Sequence, residues 1–251
     1  MLEIASGNQN LRAKETGAHE LREVTRQFNA MLDQIDQLMA DIRRQEETTR
    51  QYQLQALSSQ INPHFLYNTL DTIIWMAEFQ DSQRVVQVTK SLATYFRLAL
   101  NQGKDLICLS DEINHVRQYL FIQKQRYGDK LEYEIDENPA FDNLVLPKLV
   151  LQPLVENALY HGIKEKEGQG HIKVSVQKQD RGLVIRIEDD GVGFQNAGDS
   201  SQSQLKRGGV GLQNVDQRLK LHFGEDYQMK IDSAPDKGTT VEIYINRIET
   251  S

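Results

Sequence analysis

The sequence predicts an α + α/β protein: a long helical arm and a helical hairpin, followed by an α/β sandwich. Three observations carry this. Residues 20 to about 128 contain one proline, Pro63, and two glycines, Gly103 and Gly128, a composition that suits helix. Leu21, Val24, Phe28, Met31, Ile35, Leu38 and Ile42 recur at alternating spacings of three and four, which is a heptad seam. Beyond residue 128, apolar residues instead alternate with polar ones in short segments separated by glycine and polar clusters.

Taken in order, the seam continues in register as Gln45, Thr49, Tyr52 and Ala56 and so turns polar. A polar seam packs more weakly and is easier to rearrange. A plain dimerisation stalk is the simpler reading, and the two are compatible. A second helix is expected after the Gln80-Asp81-Ser82 turn, running to about Gln102. Two such hairpins make a four-helix bundle as a dimer. Leu109-Ser110-Asp111-Glu112-Ile113 reads as another helix start, with Ser110 as its cap and an end near Gly128. Leu131–Ile135, Ile172–Val176, Leu183–Ile187, Met229–Ile231 and Val241–Ile245 read as strands with one buried face. Lys148–His161 and Gly211–Phe223 read as helices, and 195–206 as a mobile polar loop.

Length and composition set bounds. A chain of 251 residues accommodates two compact domains, or one with a long arm. Hydrophobic residues at 39% and charged residues at 26% allow a real core in a soluble protein. A net charge of −7 argues against a general nucleic-acid binder. The one cysteine, Cys108, can form neither an internal disulfide nor a zinc pair, which fits a reducing cytosol. No run approaches the ~20 apolar residues of a membrane helix, and Met1-Leu2-Glu3-Ile4 does not open a signal peptide.

Three motifs in the second half suggest nucleotide chemistry. Glu156-Asn157-Ala158 lies on a helix, Asp189-Asp190-Gly191-Val192-Gly193 at a strand end, and Gly208-Gly209-Val210-Gly211-Leu212 at a helix start; Gly238-Thr239-Thr240 follows. An Asn oxygen is a hard neutral ligand suited to Mg²⁺, which leans on substrate phosphates. A carboxylate at a strand end can accept from the adenine amino group. Glycines let backbone approach the nucleotide, and a glycine-rich turn into a helix offers N–H groups to phosphate. No P-loop lysine motif is present. Each motif alone is also an ordinary turn or cap; it is their order and spacing together that is specific.

Together these motifs resemble the GHKL-type ATP-binding domain shared by histidine kinases, gyrase, MutL and the heat-shock chaperone ATPases. The resemblance implies ATP with Mg²⁺ on Asn157, adenine read by Asp189, a pocket shaped by Gly191, Gly193, Gly209, Gly211, Leu212 and Thr239, and a lid at 195–206. Upstream stands Gln60-Ile61-Asn62-Pro63-His64-Phe65-Leu66-Tyr67-Asn68-Thr69-Leu70. A proline inside a helix bends it and can bare the next side chain. A neutral imidazole there is a competent nucleophile. A lone helical histidine is more often an ordinary surface or core residue. The string QINPHFLYNTL followed by LQPLVENALYHG, however, resembles the LytS/YesM class of sensor histidine kinases, the YesM branch above all, from about Gln55 to the end.

That resemblance implies three regions: a partial HAMP linker and stalk over 1–45, dimerisation and phosphotransfer helices over 46–128, and the ATP-binding domain over 129–251. It implies His64 as phospho-acceptor, a homodimer, and a response regulator with an AraC-type output as partner. It also implies upstream membrane segments, so that the full-length protein sits in the bacterial cell membrane and this part in the cytoplasm. Departures inform as well. Phe65 stands where many histidine kinases carry an acid. Pro153 stands where gyrase-like ATPases carry the glutamate that activates water, which favours transfer to a side chain over hydrolysis. Tyr160 replaces a phosphate-binding lysine, so His161 or Lys164 takes that role. Glu156 either polarises the acceptor or makes a salt bridge. Asn68 is one turn past His64 and lacks a suitable pKa for base catalysis, so it either aims water at a regulator's aspartyl phosphate or packs on its neighbour helix. The rival functions are a non-catalytic nucleotide-binding signalling module and a GHKL-type ATPase.

Overall fold

The computed structural model describes residues 22–35, 37–39, 63–100, 105–179, 182–194 and 209–246. The chain divides into two units, Met1–Asn62 and Pro63–Ser251. In the first, residues 22–35 and 37–39 are helical, as the seam predicts. Val24, Met31, Ile35 and Leu38 are exposed along it. Leu21, Ile42 and the polar continuation of the seam lie outside the described residues.

The second unit opens with helices α1, Pro63–Glu78, and α2, Ser82–Leu100. The turn between them places Gln80 at φ 58°, and Asp81 Oδ1 caps α2 by accepting from the Arg84 N–H at 3.1 Å. Val88, Leu92, Tyr95 and Ala99 recur at helical spacing on α2 and form its buried face. The bend expected around Pro63 involves residues before it, which lie outside the described residues.

Strand β1, Leu106–Cys108, then leads directly into α3, Leu109–Tyr127. Ser110 is not the cap of α3. The N-cap position falls on Cys108, which makes no side-chain cap bond. The free N–H groups of Leu109 and Ser110 instead donate to the carbonyls of Leu144 and Asp142, at 2.7 and 3.2 Å. They reach these acceptors because β1 pairs antiparallel with β3, Val145–Pro147. Strands of three residues carry too little alternation to be visible in a sequence.

The remaining strands are β2 (Leu131–Asp136), β4 (Gly170–Gln179), β5 (Gly182–Asp189), β6 (Tyr227–Ala234) and β7 (Gly238–Ile245). They form a five-stranded sheet in the order β2-β4-β5-β7-β6, with β2 parallel to β4 and the other pairs antiparallel. Each strand predicted from alternation is present. One face is buried: Tyr227, Met229, Ile231 and Ser233 alternate inward along β6. Directly opposed charges mark the other face. Arg186 meets Glu242 at 2.7 Å across β5 and β7, and Lys173 meets Glu134 at 3.2 Å across β4 and β2.

Two helices lie against this sheet beside α3. Helix α4, Gln152–Asn157, continues as a π-helical turn through Ala158–Ile163. Helix α5 covers Gly209–Phe223. The predicted helix over Lys148–His161 therefore starts later and changes pitch. Its late start has a cause: Leu149 takes φ 56°, and the N–H groups of Leu149, Val150 and Leu151 all donate to the buried carboxylate of Glu112 on α3. One apolar core joins α1, α2, α3, α4, α5 and the sheet.

Candidate functional site

A cavity of about 270 Å³ opens between α4, the start of α5 and the ends of β5 and β7. Asn157, His161, Asp189, Gly193, Leu212 and Thr239 line it. Leu154, Ile187, Phe194, Ile231 and Val241 add an apolar wall. An apolar slot with a few converging polar groups suits a flat heteroaromatic ring.

Asp189 is the last residue of β5, opposite Thr239 of β7. Its Oδ1 accepts from the Gly191 N–H at 2.9 Å. Burial pushes its carboxyl up to about 6, against the pull of the Gly191 and Thr239 N–H groups. Asp190 points away, bonding Lys166 at 2.9 Å and the His171 N–H at 2.7 Å. Beyond it the chain doubles back over Gly162, with the Val192 N–H on the Gly162 carbonyl at 3.3 Å. Gly193 at φ 59° completes the turn, where an added Cβ would meet the Ala234 carbonyl oxygen at 2.1 Å.

Asn157 ends α4, and its amide nitrogen is buried without a hydrogen-bond partner. No protein acceptor among the described residues claims that nitrogen. Among the described residues, no group of three or more His, Cys, Asp or Glu could hold a metal ion by itself. A single amide oxygen fits Mg²⁺, which takes its other ligands from phosphate and water.

Other predicted residues fall elsewhere. Lys164 does not line the cavity; its Nζ lies 5.9 Å from the Tyr160 ring centroid. Gly209 is the first residue of α5, and Gly211 sits 3.9 Å from Pro153 Cβ at its nearest approach by an added Cβ. Glu156 faces away from the cavity. Its Oε1 accepts from Gln152 Nε2 at 2.9 Å, and the same amide donates to the Tyr95 hydroxyl at 2.6 Å. Burial first, then the charge of Glu156, pushes the Tyr95 and Tyr119 hydroxyls well above their ordinary range. Tyr95 and Tyr119 in turn pack on Phe65, with ring centroids 4.7 and 5.2 Å away. Contacts therefore run from the neighbour of His64 to the neighbour of Asn157.

His64 is exposed on α1 and does not line the cavity. Asn68 Nδ2 lies 3.0 Å from its Nδ1 and 3.2 Å from its Nε2. A second cleft, of about 580 Å³, begins at Asn68 and is lined further by Asp71, Trp75, Arg84 and Arg126.

Comparison with known proteins is decisive. Residues 52–131 match the family described as histidine kinase. Residues 144–248 match that described as the histidine kinase-, DNA gyrase B- and HSP90-like ATPase. The uncharacterised Bacillus subtilis protein YwpD is 34% identical over 98% of this chain and 88% of its own length. The sensor histidine kinase YesM of Bacillus subtilis is 33% identical over 88% of this chain, and BtsS of Escherichia coli 33% over 82%. The chain belongs to the sensor histidine kinases of the LytS/YesM class. It spans 38% of YesM and 35% of BtsS. Its sheet with α4 and α5 is thus the GHKL-type ATP-binding fold of this class, preceded by the helical region. Among the described residues, no helix is long and apolar enough to cross a membrane.

Gly162, Leu154 and Phe194 are pocket residues that the motif reading omits. Gly162 carried a signal: a glycine within a helical stretch costs about 1 kcal/mol against alanine, which points to a close approach. An added Cβ there would lie 2.5 Å from Asp189 Oδ1.

With its carboxyl raised to about 6, an Asp189 that accepts from an adenine amino group, the role expected of it, would make nucleotide binding pH-dependent. Its ionised form, the better acceptor for an adenine amino group, is complete well above pH 6 and lost as pH falls through about 6. For stability the sign is opposite: a carboxyl raised on folding contributes stability at low pH that is lost as pH rises through about 6. Calorimetric titration with a non-hydrolysable ATP analogue between pH 5 and 8 is expected to show affinity falling below about pH 6. Asp189→Asn is expected to bind weakly and to flatten that profile; an unchanged profile in the variant would place the titrating group elsewhere.

Proposed function

We propose that this chain transfers the γ-phosphoryl group of ATP to His64, and then to an aspartate of a separate response regulator. The observation that carries the reading is the Asp189–Asn157 cavity in the same unit as an exposed histidine on α1. Asp189 reads adenine, and Asn157 holds Mg²⁺, which when bound neutralises phosphate charge. His161 lies at the cavity wall and takes the phosphate-contacting role that Lys164, turned to Tyr160, does not. Gly191, Gly193, Gly209 and Gly211 shape the approach to the phosphates. The lid at 195–206 and Gly208 lie outside the described residues.

A nitrogen lone pair of His64 attacks the γ-phosphorus in line with the departing ADP oxygen; the N–P bond forms as the P–O bond breaks. Since His64 does not line the cavity, the ATP-binding part must travel to α1 of its own chain or of a partner. A homodimer supports this. Tyr67, Leu70 and Ile74 are 68%, 42% and 57% exposed at helical spacing on α1, as expected of a face that meets a second copy. The cleft from Asn68 to Arg126 offers the regulator a seat beside His64. Asn68 there can aim water at the regulator's aspartyl phosphate. We assign 1–45 to a partial HAMP linker and stalk, 46–128 to dimerisation and phosphotransfer, and 129–251 to ATP binding. The AraC-type output and upstream membrane segments belong to the same reading.

Incubation with γ-labelled ATP tests it. Wild type is expected to take up acid-labile, base-stable label, and His64→Ala none. Equal labelling of the two would reject His64 as acceptor; ATP binding without labelling of wild type would favour a non-catalytic module.

A further inference from the structure

We infer that the Tyr95–Gln152 hydrogen bond, with the rings of Phe65 and Tyr95 laid on α3, is a latch that holds the ATP-binding body off His64 and opens before transfer. The inference rests on the proposed function and adds the contact that restrains it.

Two bodies meet at this contact. One is the α1–α2 hairpin. The other is the sheet with α4 and α5, and α3 is fastened to it. Strand β1, just before α3, pairs with β3, and Glu112 of α3 accepts from the N–H groups of Leu149, Val150 and Leu151. Between the bodies, the Phe65 ring lies 5.2 Å from that of Tyr119, and the Tyr95 ring stacks on His115 at 4.4 Å and 16°. The Tyr95 hydroxyl accepts from Gln152 Nε2 of α4 at 2.6 Å.

The direction of the contact makes it inhibitory. At about 100° per residue, the buried Phe65, Thr69 and Met76 lie roughly 100–140° round α1 from His64. The ATP-binding body therefore rests on a face of α1 that His64 does not share. His64 stays exposed and outside the cavity. Whether ATP comes from the same chain or from a partner, the body that carries it must first leave its own hairpin.

The contact is also built to part. His115 is buried beneath Tyr95, and neither ring nitrogen has a hydrogen-bond partner among the described residues. Such orphaned groups destabilise the closed form, and hydration on opening relieves them. The Tyr95–Gln152 bond works the other way and holds the bodies together. Gln152 also donates to Glu156 at 2.9 Å, so its amide keeps a partner when the latch opens. Opposing terms of this kind make a contact that a small shift of α1 can release.

The test uses the full chain as wild type, Tyr95→Phe and Gln152→Met. The first variant removes the hydroxyl and keeps the ring on His115; the second removes the same bond from the other side at similar volume. Neither residue lines the ATP cavity. Both variants are expected to autophosphorylate about fivefold faster at saturating ATP, the fold-change that one hydrogen bond of ordinary strength is worth, with KM for ATP unchanged. Hydrogen exchange without nucleotide is expected to quicken along α2 and α3 and to stay as in wild type across the five-stranded sheet. Unchanged exchange in α2 and α3 would overturn the inference, since the bond would not hold the bodies together. Variants that open and yet label no faster would also overturn it. Faster exchange in the sheet of both variants would reduce Tyr95 and Gln152 to structural residues. If wild type takes no label, the proposed function fails, while exchange still decides whether this contact opens.

Discussion

Gly191→Ala is expected to abolish nucleotide binding, weakening it by at least about 100-fold, or roughly 2.7 kcal/mol. The added Cβ would stand 2.3 Å from both Cα and the carbonyl carbon of Gly162. Backbone faces backbone, so no side chain can yield. Gly162 is itself confined, since a Cβ added to it would lie 2.5 Å from Asp189 Oδ1. Alanine must therefore part the two segments, break the Val192–Gly162 bond and displace the Asp189 carboxyl from the cavity. Gly211→Ala is the contrast: its nearest neighbour would be 3.9 Å away, and alanine favours helix. That variant is expected to fold as wild type, so a loss of binding in it would report the approach of Gly211 to the phosphates. Titration with a fluorescent ATP analogue, alongside circular dichroism, measures both. A Gly191→Ala protein that binds as wild type would show that this contact does not shape the pocket.

Glu112→Ala is expected to destabilise the second unit by about 3–5 kcal/mol. The carboxylate is fully buried and accepts from Leu149, Val150 and Leu151 at 2.9, 2.7 and 2.8 Å. Burial raises its pKa and the backbone N–H groups oppose the rise. Removing it leaves two buried donors and the half-buried Leu149 N–H without an acceptor, in a segment where Leu149 already holds φ 56°. Urea unfolding followed by circular dichroism reads the loss. Glu112→Gln retains one oxygen and is expected to lose about half as much. Because these donors precede α4, the alanine variant is also expected to bind nucleotide more weakly under conditions where it stays folded. A midpoint unchanged from wild type would show that water replaces the carboxylate.

Much of this architecture was legible because it obeys simple periods. The seam, the α1–α2 hairpin and all five strands of the main sheet follow spacings of three and four or of two. The pocket was legible through Asn157, Asp189 and Thr239, whose residue types announce their chemistry. What escaped depends on long-range partners. Ser110 resembles a cap, yet β1 pairing puts two carbonyls where a cap would act. Glu112 reads as an ordinary first-turn acid, and only the fold brings Leu149–Leu151 to it. Glu156 left two readings open, and only the fold shows the hydrogen bond that its Oε1 accepts from Gln152, beside Tyr95. Phe194 and Ile231 are generic apolar residues until the strands place them around one slot.

The π-helical turn at Ala158–Ile163 has a consequence for length variation. Its bonds reach one residue further than α-helical ones, as in Lys164 N–H to Leu159 carbonyl at 2.8 Å. The turn is thus a spliced-in residue that the helix absorbs without a loop. Excising one residue from it would restore the tighter pitch, and four α-helical steps of about 100° turn the chain nearly as far as five steps of the wider turn. Gly162 would then keep its place against Asp189. The turn is thus a position where the helix can gain or lose one residue between Asn157 and Gly162 while both keep their faces.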